Sequence, residues 1–508
     1  MTVTSPPRYA ATRPGVFVPR AGIAPQTLAA EAGTLGWDVV HAMRLPQVNE
    51  TLAASGRWPT SLALEIQDGW TIGGELGTWQ LVRGGSNSIL FVRVALRTAR
   101  MSFPNTPDLA VEDGWVTVAV KLRYLPQPPS GGSPPDAATA VADDGADDRS
   151  FLATRATSDN PDDPPAVIQA VGYGSAVPSP LQAALFSAAL GKWFTANLHL
   201  FTYVFCALDL NTRAAQGDFQ WLRPTWTGYA YANGSDDDNS CFGVLTMTCG
   251  NSPGGRINQL APTAVPPSCT ASVLISQDSF LQHLMVPGLT RALDGTTVED
   301  FELASGTVRI TRTVDLDEVK SGGRTYRPEL KELELQVVGD ELQMHSVVQT
   351  TVAPGIRSLV DARDFFRITL VDRPDGGQTL SFMPSRDSER NEYTQKEKWA
   401  EITETIVAIL GAVAAIVAAI VIPGAGAAIA AVLIIGLVAG LAAATPSLIA
   451  AVAGGDAAAA LPSIGDLVLE CTTDIHWPES SGLTLTSAEL NGSLQLGGRQ
   501  TTPGETFR

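Results

Sequence analysis

Strict alternation in two stretches sets the tightest limit on what this chain can fold into. In 88–97, "SILFVRVALR", Leu90, Val92, Val94 and Leu96 alternate with Phe91, Arg93 and Arg97. In 115–125, "WVTVAVKLRYL", Val116, Val118, Val120, Leu122 and Tyr124 alternate with Thr117, Lys121 and Arg123. Successive side chains of a strand point to opposite faces, so this pattern predicts long antiparallel strands with one buried and one wet face. Stretches 201–211, 221–233, 241–250 and parts of 306–352 carry further strand patterns, rich in aromatic and β-branched residues.

Helices are few. In 35–52 an apolar start reads as a short strand or turn, and Val48 and Leu52 behind Pro46 read as a helix with proline in its first turn. Segment 179–198 reads as an amphipathic helix with Leu181, Leu185 and Ala189 on one side. In 272–289, Ser276 is placed to cap a helix whose apolar stripe is Phe280, Leu281, Leu284 and Met285, ending at Pro287-Gly288. Residues 488–498 close as a short strand or hairpin. The pattern is an α+β body of many long strands and a few helices, without the regular alternation of a parallel sheet. It divides into an arm (1–33), a body (34–392) with a disordered acidic loop at 126–165, an apolar segment (393–455), and C-terminal strands (456–508) that complete the body.

Several blocks taken together, "GWDVVHAMRLPQVNETL", "FTYVFCALDLN", "WLRPTWTGYAYAN", "VLISQDSFLQHLMVPGL" and "ELNGSLQLGG", resemble in this order the clostridial forty-seven-kilodalton protein family. That family is encoded beside botulinum neurotoxin genes of the OrfX type and has relatives near insecticidal toxins. The resemblance spans roughly residues 36 to 500, leaving out the acidic loop. It implies an elongated fold of the tubular lipid-binding (TULIP) superfamily, in which a long curved antiparallel sheet wraps long helices and an apolar groove between them accepts acyl chains. It also implies a non-enzymatic, lipid- or membrane-interacting role in a toxin complex, with toxin or accessory subunits as partners.

Residues 405–455 contain no charged side chain, in a chain of net charge −18. Ile402, Ile406, Ile409, Val413, Ile416 and Ile420 recur at helical spacing, and Pro423-Gly424 breaks the run. A second arm carries Leu433, Leu437 and Leu441, with Gly436, Gly440 and Ala444 spaced four apart, which lets helix backbones approach closely. The expectation is an apolar helical hairpin. Residues 402–422 carry eleven Ile, Leu or Val side chains, which favour bilayer insertion by roughly 3–7 kcal/mol. Three placements stay open at this point: a hairpin docked on the body or covering its groove, one that enters bilayers as a membrane-inserting or pore-forming toxin component, and one buried against a partner chain in a purely structural subunit. These residues, with Phe280 and Leu284 of the helix, are the candidate lipid or membrane contacts.

Charge and motifs exclude other classes. Acids outnumber bases 52 to 34, which opposes nucleic-acid binding and electrostatic adhesion to anionic membranes. The five histidines and five cysteines form no HExxH or CxxC, and the chain has no GxSxG or phosphate-cradling loop, so no catalytic residue, metal or cofactor is expected. The cysteines read as buried free thiols, His283 as a packed or groove-edge histidine, and Asp236, Asp237 and Asp238 as a polar turn. The amino terminus carries no apolar run of signal length. Synthesis in the cytoplasm without Sec export is expected, with the product released or membrane-associated. A homodimer is left open.

Overall fold

The computed structural model describes residues 33–501 apart from 68, 104–105, 127–148, 159, 161, 210–219, 317–318, 322–323, 373–377, 388, 397–474 and 479–481. The expected helical hairpin, with Ile402, Ile406, Ile409, Val413, Ile416, Ile420, Leu433, Leu437 and Leu441, therefore lies outside the described residues.

In chain order, β1 (Val39–Arg44) runs into α1 (Leu45–Ser55). Pro46 sits in the first turn of α1, where its missing N–H costs nothing, and Gly56 closes the helix at φ 59°. There follow β2 (Ser61–Gln67), β3 (Trp70–Ser86), β4 (Ile89–Phe103), β5 (Thr106–Pro126), β6 (Arg149–Thr154), β7 (Ala166–Gly172), α2 (Pro180–Asn197) and β8 (Val204–Asp209). Next come β9 (Pro224–Ala232), β10 (Cys241–Thr248), β11 (Ala271–Ser276), α3 (Gln277–Phe280), a wider turn (Leu281–Met285) and α4 (Val286–Ala292). Then come β12 (Phe301–Ala304), β13 (Thr307–Ile310), β14 (Val314–Asp315), β15 (Val319–Ser321), β16 (Arg324–Tyr326), β17 (Pro328–Val338), β18 (Glu341–Ala353), β19 (Ile356–Asp372), β20 (Gln378–Pro384) and β21 (Glu389–Lys396). After the apolar stretch, β22 (Ile475–His476), β23 (Gly482–Leu490) and β24 (Ser493–Thr501) finish the fold.

Three large antiparallel sheets result. One runs β2-β3-β4-β5-β6-β8-β22 with β7 on β5; one runs β12-β13-β17-β18-β19-β20 with β14 on β17 and β21 on β19; one runs β23-β24-β11-β1-β10-β9. The alternation expected of β4 and β5 holds, with Leu90, Val92, Val94, Leu96, Val116, Val118, Val120 and Leu122 all buried. Sequence reasoning passed over their neighbour β3, because "WTIGGELGTWQLVRGGS" is crowded with glycines. Those glycines serve its curvature. The β3–β4 register shifts three times, and a Cβ on Gly74 would collide with the Thr98 carbonyl. Each shift bends and twists the strand pair, so the sheet curls.

Three readings are corrected here. Residues 149–154, inside the expected loop 126–165, form β6 between β5 and β8, and Asp163 near the loop's far end bridges Lys121 and Arg155. Helix α2 buries Phe186, Ala189, Leu190, Trp193 and Phe194, while Leu181 is exposed, so the true apolar face is rotated from the expected one. The third helix continues past Pro287 to Ala292. Just before the proline the Val286 N–H reaches back to the Leu281 carbonyl, an i→i−5 bond. Such a widened turn relieves the clash that proline brings to a regular helix.

Three cores sit among these layers. The first packs α3, the wider turn and α4 against the β17–β19 sheet and the β11–β24 edge. The second packs α1 and α2 onto the curled sheet. The third covers the far face of the β1 sheet with residues 260–269. Strand β1 feeds all three: Val39 joins the first core, Met43 the second, Val40 and Ala42 the third. Between Val39 and Met43 lies His41, paired across to Val244 and Val273, which belong to different cores. Arg44 fixes the covering loop by donating to the carbonyls of Cys269 (2.9 Å), Val265 and Pro266 (both 3.0 Å).

Candidate functional site

Under α2 the space between helix and sheet is filled by aromatic side chains. Trp79 stacks on Phe201 with centroids 4.8 Å apart and meets Phe194 edge-on at 5.7 Å; Tyr203, Phe205 and Phe242 extend the cluster. The Tyr203 and Thr51 hydroxyls bond at 2.7 Å and tie α1 to it. At this helix the groove that the resemblance implies is occupied by the protein's own rings. Of the two described lipid-contact candidates, Phe280 is buried in the first core and Leu284 packs half-buried against it.

An open cleft of about 540 Å³ lies beside the N-terminal turns of the helix that carries Phe280 and Leu284, on the first core's flank. Its walls come from four separated segments: Gly36, Trp37 and Asp38 before β1; Met247 at the end of β10 with Asn251, Ser252 and Arg256 beyond it; Ser276 to His283; and Leu303 of β12. Ser276 caps the helix as expected, accepting from the Ser279 N–H at 3.2 Å. The β10 end turns sharply through Cys249 (φ 54°) and Gly250 (φ 77°), closed by Asn251 N–H to the Thr248 carbonyl. Asp38 is locked in place: its Oδ2 accepts from the Thr248 N–H (2.7 Å) and from Asn251 Nδ2 (2.9 Å). Gly36 lets Arg256 lie close, since a Cβ there would fall 2.6 Å from Arg256 Nε.

His283 lies flat on Trp221, and its Nε2 is 3.7 Å from Cys249 Sγ. A cysteine beside a histidine invites a nucleophilic reading, but the electrostatics oppose it. Burial pushes the Cys249 thiol up, outweighing a hydrogen bond with Thr248 that lowers it, Asp38 adds a smaller upward push, and the S–H donates to the Trp221 carbonyl at 3.2 Å. Burial holds the His283 imidazole below its usual value, against a smaller opposing pull from Asp38. A neutral thiol beside a neutral imidazole is not an activated pair. Among the described residues, no three His, Cys, Asp or Glu side chains converge to hold a metal ion.

His283 is thus a packed histidine, as expected. Cys206, Cys241 and Cys269 are buried free thiols, whereas Cys249 is exposed. Asp236 organises the polar turn expected there, accepting from the Asn239 N–H at 2.8 Å. The cleft itself was not legible in the sequence, because its walls stand far apart in the chain. The only local signals were the turn residues Cys249-Gly250 and Pro253-Gly254-Gly255 behind a strand.

A predominantly antiparallel β protein with a curled sheet, few helices and an open polar cleft is the class these observations define. The chain belongs to the OrfX-like family, described as Protein OrfX2/OrfX3/P47, which matches residues 34–498. It is 28% identical over 502 residues to Protein OrfX3 of Paraclostridium bifermentans, covering 93% of this chain and 99% of that protein. It is 26% identical over 504 residues to Protein OrfX3 of Clostridium botulinum (strain Kyoto / Type A2), covering 92% and 98%. Its fold is similar to P47 from Clostridium botulinum A2, with a TM-score of 0.61 at 14% identity, over 92% of this chain and 98% of that one. P47 of Clostridium botulinum E1 gives a TM-score of 0.59 over 92% and 99%.

Proposed function

We propose that this chain is a non-enzymatic accessory protein of a toxin-type complex, with a TULIP-like body, and that it engages lipid or membrane through apolar contact. The observation that carries the reading is the uncharged stretch 405–455. It stands between β21, which pairs with β19 in one sheet, and β22, which pairs with β8 in another. So long an apolar run is costly to leave in water. The packed rings beneath α2 leave the stretch, rather than that interior, as the source of a lipid-facing surface. Ile402, Ile406, Ile409, Val413, Ile416, Ile420, Leu433, Leu437 and Leu441 are the contacts proposed. Toxin or accessory subunits are the proposed protein partners.

The experiment is solvent extraction and mass spectrometry of the full chain purified without detergent. Co-purifying lipid, lost in the double variant Ile409→Asp/Ile416→Asp, supports the reading. A lipid-free protein that also ignores vesicles sinks it. A second reading, bilayer insertion, is favoured by the length of residues 402–422 and 424–444, each enough to span about 30 Å of hydrocarbon. Dye release from vesicles separates insertion from surface contact.

A further inference from the structure

Among the described residues, β7 ends the curled sheet with no strand beyond it. On the side away from β4, β5 pairs with two strands in turn, β7 over 115–120 and β6 over 122–126. The sheet continues from β6 to β8, whereas the main chain of β7 bonds, among the described residues, only to β5. About half of its N–H and C=O groups therefore point outward without a protein partner. Edges of this kind are ordinarily blunted by charged side chains or proline. β7 reads AVIQAVG, and 164–191 contains no charged residue at all.

The flanks of this edge are apolar as well. On the inner face Ile168 and Val171 stand in register with Val118 and Val116 and pack half-buried against the second core. On the outer face Val167 is 43% exposed. A strand added here would pair the open main-chain groups and cover these side chains with alternate residues of its own. Acyl chains have no donors or acceptors to offer those groups, so the ligand chemistry is that of a polypeptide. A pliable segment suits the edge better than a second copy of this chain. Two rigid copies meeting edge to edge over about 23 Å would fall well short of the ~1,000 Å² that a stable interface needs. Gln169, the extra residue between Ile168 and Ala170, also bulges and twists the edge, and a pliable segment can follow that twist.

We infer that β7 takes up an extended, alternately apolar segment of a partner protein as the next strand of the sheet. The inference rests on the protein partners of the proposed function and not on its lipid contact, so strand pairing and vesicle binding fail separately.

Amide hydrogen exchange of the full chain, read residue by residue, tests it. In the free protein, alternate amides of 166–172 should exchange fast and the rest slowly. Peptides selected on the full chain from a phage-displayed library of random dodecapeptides are the probe. They should bind in the micromolar range, carry apolar residues two apart and slow the fast amides of 166–172 about tenfold or more. The double variant Val167→Lys/Gln169→Lys should weaken that binding about tenfold while thermal unfolding stays unchanged. Val177→Lys, at a position exposed but off the edge, should bind like the parent. Slow exchange throughout 166–172 in the free protein, or slowing that needs only a higher protein concentration, overturns the proposal. So does a selection that yields no peptide, peptides that leave 166–172 unprotected, or equal binding by the double variant.

Discussion

Trp221 and His283 lie face to face, ring centroids 4.6 Å apart and planes inclined by 9°. The contact joins the short turn before β9 to the helix that follows β11, and it helps to bury the imidazole. Burial keeps His283 below its usual value while Asp38 pulls weakly the other way. NMR titration of the His283 ring protons should give a midpoint below that of a free histidine. Asp38→Asn should lower it further by removing the opposing charge, and Trp221→Ala should bring it back toward 6.5 by admitting water. A midpoint that ignores both substitutions contradicts this account of the site.

His41 couples the fold to pH. It is buried on β1 between Val244 and Val273, and its Nδ1 has no hydrogen-bond partner. Burial lowers its pKa to about 3. The unfolded chain, with an ordinary histidine, binds a proton near 6.5 that the folded state refuses. Stability is therefore fully present above pH 6.5 and lost as pH falls through the window from 6.5 to 3. At pH 5 the loss from this residue is about 2 kcal/mol. Urea unfolding at pH 7 and pH 5 should show that loss in the parent and not in His41→Leu; the difference between the two isolates it from other titrating groups.

Gly74 tests the origin of the sheet's curl. A Cβ there would meet the Thr98 carbonyl and lie 2.8 Å from Ala99 Cα, both backbone and unable to swing aside. Gly74→Ala should cost about 1–3 kcal/mol, read as a lower unfolding midpoint. Gly73→Ala on the same strand, where a Cβ would make only an ordinary contact with the Leu62 carbonyl at 3.5 Å, should cost less.

The same glycine explains how much of the fold could be read in advance. Where burial alone dictates residue type, as in β4, β5 and α1, periodicity located the elements. It failed where shape or tertiary pairing dominates. Glycines bend β3 and hide its alternation, and the six residues of β6 are strand only because β5 and β8 flank them. In α2, nearly every position is apolar or small, so the sequence has no sharp stripe and the face was misjudged. The helix end at Pro287 was misplaced because a widened turn carries the helix past it. The cleft was beyond reach for a different reason: Trp37, Arg256 and His283 carry no common spacing, and only the pairing of β1 with β10 and β11 brings them together.

The proposed function requires that apolar surface, rather than charge, carry this chain's contact with lipid. Flotation of the full chain with neutral phosphatidylcholine vesicles, in low and in molar salt, tests it most directly. The account predicts that the protein floats in both, since apolar contact is not screened, and that Ile409→Asp/Ile416→Asp leaves it at the bottom of the gradient. Protein that stays at the bottom in either salt, or floats only with anionic lipid at low salt, would contradict it.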